Sequence, residues 1–205
     1  KNENGSFDIE AKNHKGNYDK VLFTGSPALL GNILQGPYSK YRCFLSQIRY
    51  KANICAILEL SESLSPYYWI TVAQNDLPFV LIIEHTNLVG LREYNSHIVY
   101  LSRYLDISDP LYSASDDEII NEFINGLKKV FPNLNQHIIK NITISRAPFA
   151  QPVITTGYSK IIPDIKTPIE GLFLASMSQI YPEDRGLNYA VGLGRKAANE
   201  IMGIL

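Results

Sequence analysis

The residues best suited to chemistry lie near the C-terminal end. They run from Gly171 through Leu-Phe-Leu-Ala-Ser-Met-Ser-Gln-Ile-Tyr-Pro-Glu-Asp-Arg to Gly186, and on to Ala198. The order is a short apolar strand, a polar loop, and then a helix that opens at a glycine. A helix start offers unpaired backbone N–H groups and the positive end of the peptide dipoles. Placed after a buried strand, it suits a polar or anionic ligand. A second polar group, Glu84-His85-Thr86-Asn87, follows the apolar run Phe79–Ile83. His85 and Asn87 at a strand end are candidate substrate contacts, as are the aromatic residues Tyr68 and Trp69. No metal site is expected: the four histidines have no ligand spacing among them. Asp116-Asp117-Glu118 reads instead as favourable charge at a helix N-terminus.

The elements that must position these residues follow from periodicity. Phe7, Ile9 and Ala11 alternate with polar residues, Asn13–Asn17 supply turn residues, and Tyr18–Thr24 runs apolar; together they predict a hairpin. Gly31, Gly36 and Pro37 mark residues 25–40 as a connector. Ile48 to Leu60 alternates strictly, with Ile48, Tyr50, Ala52, Ile54, Ala56, Leu58 and Leu60 on one face, which predicts a long strand with its other face mostly wet. Strands are also expected at Tyr67–Val72, Phe79–Glu84, His97–Tyr104 and His137–Arg146. With only one helix among them they imply antiparallel pairing. That helix opens with Ser115 and Glu118 in capping-box spacing, carries Ile119, Ile120, Phe123, Leu127 and Val130 on one stripe, and stops at Pro132. A short strand at Leu172–Ala175 and a helix over 186–203 close the chain. In the helix, Leu187, Ala190, Val191, Gly194, Ala197, Ala198, Ile201 and Leu205 form the expected buried stripe. Gly192 and Gly194 suggest close approach of another backbone or a ligand.

Composition excludes several classes. The 205 residues are 45% hydrophobic and 19% charged, which supports a real core. A net charge of −1 and scattered Lys and Arg argue against nucleic-acid binding. No stretch reaches the ~18 apolar residues of a membrane helix. Cys43 and Cys55 read as structural thiols, which favours a reducing, cytoplasmic setting.

The closing segment resembles that of FAD-dependent oxidoreductases of the flavin amine oxidase, protoporphyrinogen oxidase and phytoene desaturase group. There the pattern L-[FY]-L-A-G-D is followed by P-G, a helix and G-x-x-A-A. Leu174-Ala175 match its L-A, Gly186 its helix start, and Gly194-Arg195-Lys196-Ala197-Ala198 its G-x-x-A-A. Ser176-Met177 stand where G-D is usual. Met177 cannot accept a hydrogen bond as a carboxylate does, so Ser176, Ser178 or Gln179 is expected to substitute. Upstream, Tyr18–Thr24 and Gln151-Pro152-Val153 are similar to the family's segments at these places. The resemblance implies FAD as cofactor, with Ser176, Arg185, Gly186, Leu187, Asn188 and Tyr189 beside it. It also implies a small-molecule substrate such as an amine or alkene, or, in a sugar-nucleotide mutase, flavin chemistry without net oxidation. A self-contained α+β ligand-binding or interaction module is the reading from another class.

The family's opening Gly-rich dinucleotide loop does not occur in these residues. The chain is therefore expected to be the C-terminal part of a flavoenzyme, lacking the N-terminal dinucleotide-binding half and unable to hold FAD tightly by itself. The expected fold class is α+β: a mainly antiparallel sheet with one or two flanking helices, and a C-terminal strand–helix belonging to a Rossmann-like FAD/NAD(P)-binding domain. Its expected parts are 1–25 (hairpin of the cofactor domain), 26–160 (substrate-binding domain) and 161–205 (strand–helix closing the FAD site).

Overall fold

Strand β1 (Phe7–Ala11) turns tightly at Lys12-Asn13 and pairs antiparallel with β2 (His14–Tyr18). The expected hairpin thus exists, but its second strand is His14–Tyr18 and not Tyr18–Thr24. The apolar run after it becomes a separate strand, β3 (Val21–Phe23), which pairs parallel with a strand far along the chain. A continuous apolar run suits that parallel pairing better than a two-sided hairpin. These observations come from a computed structural model that describes residues 1–204.

Residues 25–40, expected as a connector, hold helix α1 (Pro27–Ile33) and the start of α2 (Ser39–Leu45). Ser26 caps α1 by accepting from Leu29 N at 3.2 Å, and Pro27 fits the first helical turn. Gly31 lies where the helices meet; a Cβ there would sit 3.7 Å from Leu45 Cβ. Leu30 and Leu45 are buried with Phe7, Ile169, Leu172 and Leu174 in one core.

The expected long strand is β4 (Tyr50–Leu60), fully buried at every second residue from Ala52. It is followed by β5 (Trp69–Thr71), β6 (Leu81–Glu84), the short α3 (Thr86–Val89), β7 (His97–Leu105), the short α4 (Pro110–Ser113), α5 (Asp116–Val130) and β8 (Ile139–Pro152). The sheet order is β5-β6-β7-β4-β8, and the β5–β6, β6–β7 and β7–β4 pairs are antiparallel. Helix α5 covers one face, burying Ile119, Phe123, Ile124 and Leu127 with Ala52, Ile54, Ala56, Leu58 and Leu60. Its capping box is complete: Glu118 N donates to Ser115 Oγ at 3.3 Å, and Ser115 N donates to Glu118 Oε2 at 2.8 Å. The Ser115 backbone N–H and then its hydroxyl hold the Glu118 carboxyl below the usual carboxylate range. Ser115→Ala is expected to cost about 1 kcal/mol, read from the urea midpoint.

The chain ends with β9 (Leu172–Leu174), the parallel partner of β3, and α6 (Leu187–Met202). Among the described residues the buried side of α6 is narrower than the expected stripe, whose last member, Leu205, lies outside them. Ala197 is buried, and Leu193 and Ile201 pack with it on Ile165, Phe173 and Ala175. Leu187 is 83% exposed, Val191 is 51% exposed and Ala198 is exposed. A Cβ added at Gly192 or Gly194 would likewise meet nothing within 4 Å among the described residues, so the expected close approach is not made by this chain. The fold is thus mixed α+β, with a mostly antiparallel five-stranded sheet. It forms two compact units, Lys1–Arg49 with Pro152–Leu205, and Tyr50–Gln151.

Candidate functional site

In the first unit the features of interest gather at the start of α6. Strand β9 leads into a 3₁₀ turn, Met177–Gln179, capped by Ser176. The Ser176 and Ser178 hydroxyls are 2.7 Å apart and both residues are buried. Gln179 Oε1 accepts from Ser176 N at 2.6 Å, while its Nε2 donates to Pro163 O at 3.0 Å and Leu174 O at 3.1 Å. Tyr158 donates its phenol to Ser178 O at 2.8 Å. The three candidates for the missing carboxylate are therefore engaged with one another and with the backbone. Met177 is half-buried.

The loop then returns to Gly186, the N-cap of α6, in extended conformation (φ −150°, ψ 160°). It provides no side-chain cap, and the first turn has no acidic residue. Leu187 and Tyr189 are exposed, and Asn188 Oδ1 would lie 2.6 Å from a Cβ added at Gly186. Arg185 N donates to Asp184 Oδ1 at 2.7 Å. This helix start is exposed and positively polarised, and its backbone donors suit an acceptor-rich or anionic group. Ser176, turned into its own network, does not fit as a direct contact to such a group.

In the second unit the candidate surface is the sheet face opposite α5. Register places Trp69 beside Ile83, Ile83 beside Tyr100, and Tyr100 beside Ile57, one row across β5, β6, β7 and β4. Paired residues share a face. The adjoining row is Thr71, Leu81, Ser102 and Cys55. Neither row joins the hydrophobic core under α5. Burial raises the Tyr100 phenol, with smaller effects from Tyr94 and Cys55, and burial raises the Cys55 thiol.

Of the four predicted substrate contacts, two adjoin this row. Trp69 ends it, and the His85 ring stands edge-on to Tyr100 and Tyr94, at centroid distances of 5.9 and 5.5 Å. His85 Nε2 also lies 3.2 Å from the Tyr94 hydroxyl. Asn87 is committed to structure, donating to Ser65 O at 2.7 Å and Tyr67 O at 3.1 Å. Tyr68 sits one residue from Trp69 with its ring 6.3 Å away, and its carbonyl accepts from Glu84 N. Sequence reasoning missed Ile57, Ile83 and Tyr100. Their signal was present in β4: Cys55 and Ile57 interrupt the face expected to be wet.

Among the described residues no group of His, Cys, Asp or Glu could hold a metal ion, and no helix is long and apolar enough to cross a membrane. Asp116 instead accepts from Arg146 Nη1 at 2.6 Å.

No family model matches the sequence, and no curated protein matches it. Solved structures do match in shape. A protein assigned as a protoporphyrinogen oxidase, from Exiguobacterium sp. 255-15, superposes with a TM-score of 0.73 at 14% identity, covering 99% of this chain and 45% of that one. A putrescine oxidase variant with redesigned cofactor binding gives 0.67 at 11% identity, covering 97% and 46%. A reduced UDP-galactopyranose mutase gives 0.57 at 14%, covering 73% and 33%. The chain spans less than half the length of each. Its fold is one that recurs as part of oxidoreductases and of a mutase, among them proteins of the group that the closing segment resembles.

Proposed function

We propose that the chain is the substrate-binding and flavin-closing region of an FAD-dependent oxidoreductase. The observation that carries this reading is the α6 N-terminus: a 16-residue helix whose first turn has no side-chain cap, no acidic residue and an exposed apolar start. A self-contained module would be expected to close such an end with a capping side chain. The two-stranded parallel β3–β9 sheet argues the same way. Parallel sheets occur almost only where further strands and helices cover them, and β3 has one strand partner among the described residues. The reading assigns β3, β9 and α6 to a Rossmann-like cofactor domain completed by another part of the protein.

In this reading FAD is the hydride acceptor. Gly186, Leu187, Asn188 and Tyr189 present the helix start to it, Arg185 leads into that start, and Ser176 fixes the turn that aims it. The five-stranded sheet holds the substrate through Trp69 and His85, with Tyr68 and Asn87 supporting the segments beside them. No nucleophile is required of this chain, because its task is to position the substrate and exclude water. The mutase likeness covers less of the chain, so net oxidation is the preferred reading.

The test is the flavin content of the longer polypeptide carrying a dinucleotide-binding half. The purified protein should show flavin absorbance. Gly186→Val should lower bound FAD several-fold while costing only about 1 kcal/mol of stability to urea, the loss expected where a β-branched residue replaces an N-cap glycine. At φ −150° any residue is accommodated, and the added Cβ displaces only the end of Asn188. Unchanged FAD content would remove α6 from the cofactor site. The 205-residue chain alone should bind FAD no tighter than micromolar, since the pyrophosphate grip is expected from a Gly-rich loop; an equilibrium titration checks this.

A further inference from the structure

The sheet face opposite α5 says more about what it holds. Its principal row, Trp69, Ile83, Tyr100 and Ile57, crosses four strands, and at ~4.8 Å per strand the row is about 14 Å long. None of its side chains is charged, nor is any in the adjoining row. Trp69 is 53% exposed, and the other three are half-buried without belonging to the core on the opposite side. The His85 ring meets Tyr100 edge-on and extends the aromatic surface beside it, along the strand direction. Within these two rows a cationic amine would find no carboxylate to offset its desolvation, and a sugar nucleotide would find no Arg or Lys for its diphosphate. Glu59, two residues from Ile57 on the same side of β4, lies beyond the row, and Lys51 at the other end is paired with Asp106.

We propose that these two rows form the wall on which the substrate lies, and that the substrate is an uncharged molecule with an extended apolar or ring surface, about as long as the row. This rests on the reading of the chain as a substrate-binding region and narrows it. Complementarity of charge and length supports that occupant: a neutral, flat, aromatic wall matches a neutral, flat ligand.

Trp69 is the single tryptophan of the chain and ends the row, so its emission reports occupancy directly. The experiment titrates the 205-residue chain with Nile red, an uncharged fused-ring probe, and separately with putrescine and UDP-galactose. Nile red should change Trp69 emission, while neither polar compound does so at the same concentrations. Ile57→Thr should weaken Nile red roughly tenfold, and Ile57→Asp more. The Thr variant keeps a β-branched residue in the strand, so a folding failure of the Asp variant does not decide the result.

The proposal is overturned if putrescine or UDP-galactose moves Trp69 emission as strongly. It is overturned if Nile red binds equally well to both Ile57 variants. It is also overturned if the chain forms a dimer that excludes the dye and that Ile57→Asp dissolves, since the face would then be a contact between copies. FAD retention is measured separately through Gly186. Loss of the flavin reading with the dye result intact would leave an apolar ligand wall without redox chemistry.

Discussion

Phe123→Ala is expected to remove about 3–5 kcal/mol of stability from the Tyr50–Gln151 unit. Phe123 is 1% exposed at the centre of the buried face of α5. Its ring packs edge-on against Phe79, with centroids 5.7 Å apart and planes at 71°. The surrounding residues have little room to collapse into the space. On the same helix Gly126 lies against Pro78 and Phe79 so closely that an added Cβ would meet Pro78 Cδ at 2.6 Å. A domain of ordinary stability has about 5–15 kcal/mol in all, so the variant should be largely unfolded at temperatures the parent tolerates. Urea unfolding followed by Trp69 emission reads this unit specifically, because the only tryptophan lies within it. A midpoint unchanged within error would mean that α5 does not seal the sheet as described.

Glu84→Ala is expected to cost about 2–4 kcal/mol and to loosen the segment before β5. Glu84 is 2% exposed. Its Oε2 accepts from Leu64 N at 3.2 Å and Ser65 N at 3.1 Å, while Oε1 lies 3.3 Å from His97 Nδ1. Those last two atoms have ion-pair distance but not hydrogen-bond geometry. Alanine would leave two backbone donors without their acceptor and His97 without its carboxylate neighbour. Glu84→Gln should lose less, since an amide oxygen still accepts. Limited proteolysis should cut the Ala variant within residues 61–68 faster than the parent. Equal rates would show that Asn87, which donates to Ser65 O and Tyr67 O, holds the segment unaided.

Elements whose signals are local were legible in the sequence. The alternation in β4, the Ser115–Glu118 capping box and the apolar run of β9 each depend on neighbours a few residues apart, and each lies where periodicity places it. The β1 partner was misplaced because Tyr18–Phe23 contains two different strands separated by Asp19-Lys20, and the partner of the second lies near residue 172. No local pattern distinguishes an apolar strand that closes a hairpin from one that waits for a distant parallel mate. Helix α1 was hidden by Gly31 and Gly36, although Ser26-Pro27 is a helix-start signal. For the candidate site, the α6 start was readable from Gly186. The row of Trp69, Ile83, Tyr100 and Ile57 was not, because it joins four strands and exists only once their registers are set.

Val153 N donates to Arg49 O at 2.9 Å, at the junction where the outer segments meet the inner one. The entrance and exit of the Tyr50–Gln151 stretch are thus adjacent threads, and the stretch is an insertion spliced through a single doorway. During translation β3 cannot meet its partner β9 until the whole insertion has emerged. Excising it and joining Arg49 to Pro152 with a brief glycine bridge would yield a miniature of the unit formed by Lys1–Arg49 and Pro152–Leu205. Under the function proposed above, substrate choice and cofactor contact would then be exchangeable cassettes.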